Sequence, residues 1–156
     1  MNGIKEFRDL LKQRTWDKEV LLWLGPDKHL LDALASTKHV TLDLLDLFDV
    51  NKLPIDENET RVELRNQLRQ KLKAIPKGPD NRTVLVVKSI GLLARYKVGV
   101  KEFYDWFIGS HTLVVLVLES LGKHGKWPED VRCEAKCLLD YFADPTMVKQ
   151  TYAAEG

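Results

Sequence analysis

Gly25, Asp27, Lys28 and His29 follow the apolar run Val20-Leu21-Leu22-Trp23-Leu24, the place where an α/β protein would hold a phosphate. A strand that stops at glycine and passes into a helix lets successive backbone N–H groups turn toward an anion, and a lysine can reach the outer oxygens. The complete phosphate loop, G-x-x-x-x-G-K-[ST], also needs a second glycine, a Gly-Lys pair and a metal-binding hydroxyl. None of these follows Gly25, and Asp27-Lys28-His29 stands where Gly-Lys-Ser/Thr would be. Pro26 removes one further N–H donor. Gly25 and Lys28 are therefore the residues left to contact a nucleotide. The competing reading is a plain strand-to-helix turn with Asp27 as N-cap.

The second requirement of triphosphate chemistry fails as well. Enzymes that hydrolyse nucleotides carry acidic residues where a strand like Thr83-Val84-Leu85-Val86-Val87 ends, and those residues hold Mg²⁺. Here the strand ends in Lys88-Ser89, and a cation repels a metal ion. Asp43 and Glu119, after the second and fourth predicted strands, are isolated carboxylates that read as solvated or capping. Both halves of the machinery are missing together, which points to a scaffold kept without its chemistry.

Lys88, Arg95, Lys97 and Lys101 lie close in sequence to Tyr96, Tyr104 and Trp106. Cations interleaved with aromatic rings can hold a phosphate backbone or stack on bases. The chain's net charge of +1 argues against nucleic acid. Arg95, Tyr96, Lys97, Lys101, Tyr104 and Trp106 read better as a protein-docking surface, because Tyr, Trp and Arg dominate interface hot spots. The bland alternative puts Leu92, Leu93, Phe103, Trp106 and Phe107 in the core and leaves the lysines solvated. His124, Cys133 and Cys137 lack a fourth ligand for structural zinc, and two cysteines four apart read as a reduced pair on one helix face. His29, His39 and His111 flank predicted strands, where structural roles are the default. No catalytic constellation emerges, so the expectation is a protein without enzymatic activity, metal or cofactor.

Positioning these residues falls to a chain of 156 residues with 44% hydrophobic and 30% charged content, enough for a single domain over 1–156 with its own core. No apolar run is long enough to span a bilayer, and the first residues lack a secretory pattern. With reduced cysteines, this predicts a cytoplasmic protein. Apolar runs at 20–24, 83–87 and 112–118 predict strands buried on both faces, and 39–42 a weaker one. Residues 43–48 continue that weaker strand or form a helical turn. Helical spacing marks 3–13, 30–36, 59–74, 100–108 and 133–141, with 91–96 helical or irregular. On the longest helix Val62, Leu64, Leu68, Leu72 and Ile75 mark the apolar side. The alternation predicts an α/β fold: a three-layer α/β/α arrangement around a mostly parallel sheet of four or slightly more strands, like a degenerate P-loop NTPase.

The stretch from Thr83-Val84-Leu85-Val86-Val87 through Leu92-Leu93-Ala94-Arg95-Tyr96 to Phe103-Tyr104 and Leu113-Val114-Val115-Leu116-Val117 resembles small accessory proteins of bacterial BREX phage-defence systems. The likeness is to the P-loop-related BrxF component or the BrxB group. It implies an accessory factor that works with a large ATPase, a methyltransferase and a phosphatase-like partner. The missing Gly-Lys-Ser/Thr departs from a P-loop member. The leading expectation is a non-catalytic adaptor acting by protein–protein contact. The alternatives are a nucleotide-binding protein or small NTPase with an altered phosphate loop, and a nucleic-acid-binding module using Lys88, Arg95, Lys97 and Lys101.

Overall fold

Parallel strands cannot be joined by tight hairpins, so a parallel sheet forces helices or long crossovers between its strands. The computed structural model describes residues 3–13, 16, 19–25, 27–47, 56–75, 82–106, 111–118 and 150–153. Within them β1 (Glu19–Leu24), β2 (His39–Asp43), β3 (Arg82–Lys88), β4 (His111–Leu118) and β5 (Gln150–Ala153) form one sheet in the order β2-β3-β4-β1-β5. Every neighbouring pair is parallel. The helices are α1 (Ile4–Leu11), α2 (Lys28–Ala33), α3 (Glu57–Ala74), α4 (Gly91–Arg95) and α5 (Lys101–Trp106), with one 3₁₀ turn at Leu44–Leu47 directly after β2. The fold is α/β, as the alternation predicted. The predicted helix over 133–141 lies outside the described residues.

Side chains along each strand alternate between two cores. Val20, Leu22, Leu85, Val87, Val114 and Leu116 pack on one face with Leu64, Leu68 and Leu72 of α3 and Phe103 of α5. Leu21, Trp23, Val84, Val86, Leu113 and Val115 pack on the other with Phe7 of α1, Trp16, and Leu30 of α2. Burial on both sides is why β1, β3 and β4 read as unbroken apolar runs. β5 was not visible in that way: Gln150-Thr151-Tyr152-Ala153 has no apolar run, and its pairing with β1 from Leu21↔Gln150 to Leu24↔Ala153 is made by the backbone.

The connections run in two directions. From β1 the chain crosses to the far edge at β2, then steps back through β3 to β4. Right-handed crossovers of opposite direction place helices on opposite faces. Leu30 of α2 and Leu64 of α3 accordingly belong to different cores.

Local chemistry sets the helix ends. The Asp56 side chain accepts from the Asn58 N–H at 2.7 Å and caps α3. Glu57 and Glu59 sit in its first turn and Lys71 and Lys73 in its last, matching the helix dipole. Ile75 leaves in extended conformation, as a residue before proline must. Val62, placed on the apolar side by spacing, is instead 55% exposed. It lies about 160° around the helix from Leu64, and buried Thr60 completes the inner side instead. α4 ends with the Val98 N–H donating to the Leu93 carbonyl at 2.8 Å while Lys97 takes φ 55°, a left-handed cap usually filled by glycine.

Phe7 joins α1 to the sheet. Its ring meets Trp23 edge-on at 5.5 Å and Tyr152 of β5 at 5.5 Å. Phe7→Ala should destabilise the protein by about 3–5 kcal/mol in urea unfolding, the usual range for a fully buried phenylalanine; a loss well below that would mean this contact does not anchor α1. Burial first, then the charges of Glu19 and Glu6, pushes the Tyr152 phenol above its ordinary value. Below about pH 10, the ordinary phenol value, both folded and unfolded chains keep the proton and the contribution is complete. As pH rises past that point the unfolded chain ionises first, and stability falls until the folded value is passed. Tyr152→Phe should flatten this alkaline loss, read as the urea midpoint against pH.

Candidate functional site

In an open parallel sheet, ligands sit outside the carboxyl ends of the strands where neighbouring strands send the chain in opposite directions. Here that point lies between β1, which leads toward β2, and β4, which precedes β5 at the other edge. Gly25, Asp27 and Lys28 follow β1 on this rim, Asp43 ends β2, and Lys88 and Ser89 end β3.

Gly25 has φ 109°, which a side chain would make costly. Its N–H donates to the Leu118 carbonyl at 2.9 Å, so β1 and β4 stay joined past the strand end. That donor is turned into the sheet and away from any anion. Asp27 occupies the N-cap position of α2 without capping it. Its backbone is helical, φ −78° and ψ −5°, where N-cap residues are typically extended. The carboxylate instead lies 2.9 Å from Lys88 Nζ, both side chains being partly buried. Lys88 therefore spans the end of β4 to reach the loop after β1. Lys28 is exposed in the first turn of α2.

Of the two roles the sequence allowed Asp43, solvated or capping, it takes the capping one. Its Oδ1 accepts from the Leu45 N–H at 3.0 Å, holding the 3₁₀ turn, and from Ser89 Oγ at 2.5 Å. Ser89 has φ 61°, so the residue where the chain leaves β3 is conformationally costly and is tethered by its side chain. The rim thus carries two protein-bound carboxylates. Among the described residues, no group of three His, Cys, Asp or Glu is placed to hold a metal ion. Glu119, His124, Cys133 and Cys137 lie outside the described residues.

A second feature lies between α3 and α5. A cavity of about 360 Å³ is lined by Arg69, Leu72, Lys73, Glu102 and Asp105. Glu102 is 7% exposed and accepts both Nε and Nη2 of Arg69, at 3.1 and 3.2 Å. This hydrogen-bonded carboxylate, with its charge, strengthens the hold of the half-exposed guanidinium on its proton. One helical turn pair earlier, Arg61 Nε donates to the Tyr96 carbonyl at 2.6 Å. α3 is thereby clamped at two points to the segment that carries α4 and α5.

Of the predicted docking residues, Lys97 and Lys101 are exposed. Tyr96 is a correction: at 5% exposure it belongs to the core with Leu92 and Phe103, because the turn after α4 directs it inward. The side chains of Arg95, Tyr104 and Trp106 lie outside the described residues. Sequence spacing did not reveal the Lys88–Asp27 pair, because only the strand order brings β3 and the β1 loop to the two sides of β4. Nor could it reveal Arg69–Glu102, whose partners are 33 positions apart.

Compared with protein-family models and with curated proteins, the chain matches none.

The rim geometry sets an order among Ser89 variants. Ser89→Ala loses the bond to Asp43 and keeps the unfavourable φ, whereas Ser89→Gly loses the bond but relieves the backbone. Ser89→Gly should therefore be the more stable of the two by roughly 1 kcal/mol in urea unfolding. The reverse order would mean the left-handed turn at Ser89 is not adopted in solution.

Proposed function

We propose that this chain is a P-loop-like α/β domain without ATPase chemistry, acting as an adaptor in a BREX-like bacterial phage-defence complex. The observation that carries this reading is the Lys88–Asp27 pair. In a working P-loop ATPase the loop after the first strand supplies a lysine to the triphosphate, and acidic residues hold its Mg²⁺. Here the end of β3 carries a lysine, Lys88, where acidic residues would be, and the loop, which keeps the exposed Lys28, sets a carboxylate, Asp27, against Lys88. Each then satisfies the other, and neither is directed at Mg²⁺-triphosphate. The order β2-β3-β4-β1-β5, which sets one strand between β1 and β3, is also found among P-loop ATPases and favours the same ancestry. A shared scaffold alone does not give a function, so the adaptor role rests on the residue likeness through Leu92-Leu93-Ala94-Arg95-Tyr96 and on the neutralised rim.

On this reading the partners are other defence-system proteins: a large ATPase, a methyltransferase or a phosphatase-like component. Arg95, Lys97, Lys101, Tyr104 and Trp106 are the proposed docking residues, without Tyr96. The rival reading, a nucleotide held by Gly25 and Lys28, has to do without the Gly25 N–H, which is bonded to Leu118.

The test is affinity capture of the tagged chain from its native host at native expression, identified by mass spectrometry. A large ATPase or modification enzyme should be recovered; the bare monomer alone would overturn the adaptor. Thermal-shift measurements with ATP and GTP, with and without Mg²⁺, should show no stabilisation. A robust shift abolished by Lys28→Ala would install the nucleotide-binding reading in its place.

A further inference from the structure

The outward side of α3 divides by charge. At about 100° per residue, Arg65, Arg69 and Lys73 follow one another up a single edge with Asn58, Val62 and Asn66 beside them. Glu59, Glu63, Gln67 and Gln70 fall on the opposite flank. Arg65, Asn66 and Lys73 are exposed, as are Glu59 and Glu63. Arg69 is 52% exposed and gives Nε and Nη2 to Glu102. Lys97 and Lys101, each next in sequence to a clamp residue, are exposed cations as well.

We infer that this edge of α3 binds the phosphodiester backbone of nucleic acid without regard to sequence, with Arg65, Arg69 and Lys73 contacting phosphates. Cations four residues apart on a helix stand about 5–6 Å from one another. Arg65 to Lys73 rises about 12 Å along the helix, the length of some three to four nucleotides at about 3.4 Å each along one strand. Guanidinium forks suit phosphate oxygens better than any other side chain, and the Asn amides are further donors. An acidic protein partner fits less well. Protein interfaces have an apolar centre, and this edge offers one exposed large apolar side chain, Val62. Interfaces with nucleic acid are more polar and more positive, as this edge is. The carboxylates nearby offset only part of it: Glu102 shares its charge with Arg69, and Asp105 lies on the cavity wall beside that guanidinium. Glu59 borders the edge and Glu63 lies farther round, and among the described residues Arg65 and Lys73 have no such partner on the helix. The net charge of +1 is the balance over the whole chain and does not describe this edge. The inference stands independently of the adaptor reading.

The test is fluorescence anisotropy of the whole chain with two short DNA duplexes of unrelated sequence, a single strand and an oligoglutamate peptide. The two duplexes should bind alike, and log K should fall with log salt at a slope of about −3 for three phosphate contacts. Arg65→Glu with Lys73→Glu should cut affinity at least tenfold and reduce the slope by about 2. Should that variant fail to fold by circular dichroism, Arg65→Gln with Lys73→Gln should show the same direction. Glu59→Gln with Glu63→Gln should leave the slope unchanged. Absence of DNA binding at low salt, a double variant that binds like the parent, or tighter binding of oligoglutamate than of DNA would each overturn the inference.

Discussion

A parallel sheet must be buried on both sides, and nearly every other feature of this protein follows from meeting that requirement. Side chains of β1, β3 and β4 fill two cores, one closed by α3 and α5 and the other by α1 and α2. With Val and Leu occupying the middle of each strand, polar chemistry is driven to the strand ends and the outer helix faces. Lys88 closes β3 and Asp43 closes β2, directly opposite one another in the register. The rim is therefore where this fold would carry out chemistry, and its charges decide what it can hold.

Those charges are coupled. A partly buried lysine at the end of a strand buried on both sides is favoured by a counter-ion, since an unpaired charge there bears part of its desolvation cost. Asp27 supplies it from across β4, and in doing so gives up capping α2. An acidic residue at 88 would instead face Asp27 and Asp43 as a like charge, tolerable only with a bound cation. Positions 27 and 88 thus behave as one unit. Gly25 contributes in the same sense, by turning its N–H into the β1–β4 pairing.

How much of this was legible depends on whether each feature is local. β1, β3 and β4 were readable because double burial leaves a continuous apolar run, and α3 because Leu64, Leu68 and Leu72 recur every fourth residue. β5 was not, since an edge strand held by backbone pairing needs only Tyr152 buried. Val62 misled because it fits an apolar series in sequence while lying beyond the buried arc. Asp27 had the right residue type for an N-cap, but its backbone is helical there and its carboxylate had a better partner. Tyr96 looked like a docking residue by type, and the turn after α4 buries it. The pairings Lys88–Asp27, Ser89–Asp43 and Arg69–Glu102 join distant segments and become visible only once the topology is known.

α3 shows how far the demands of folding account for its charges. Its terminal residues answer the helix dipole, acidic at the start and basic at the end, an effect confined to the first and last turns. Arg61 and Arg69 answer the clamps to Tyr96 and Glu102. Arg65 lies in neither end turn and touches neither clamp, and it stands four residues from a like charge on each side. Like charges at that spacing weaken a helix by a few tenths of a kcal/mol per pair. Folding alone would favour a glutamate or glutamine at 65, which would relieve the repulsion and keep helix propensity. An arginine there makes physical sense when a polyanion lies along the same edge and turns the repulsion between neighbours into shared attraction.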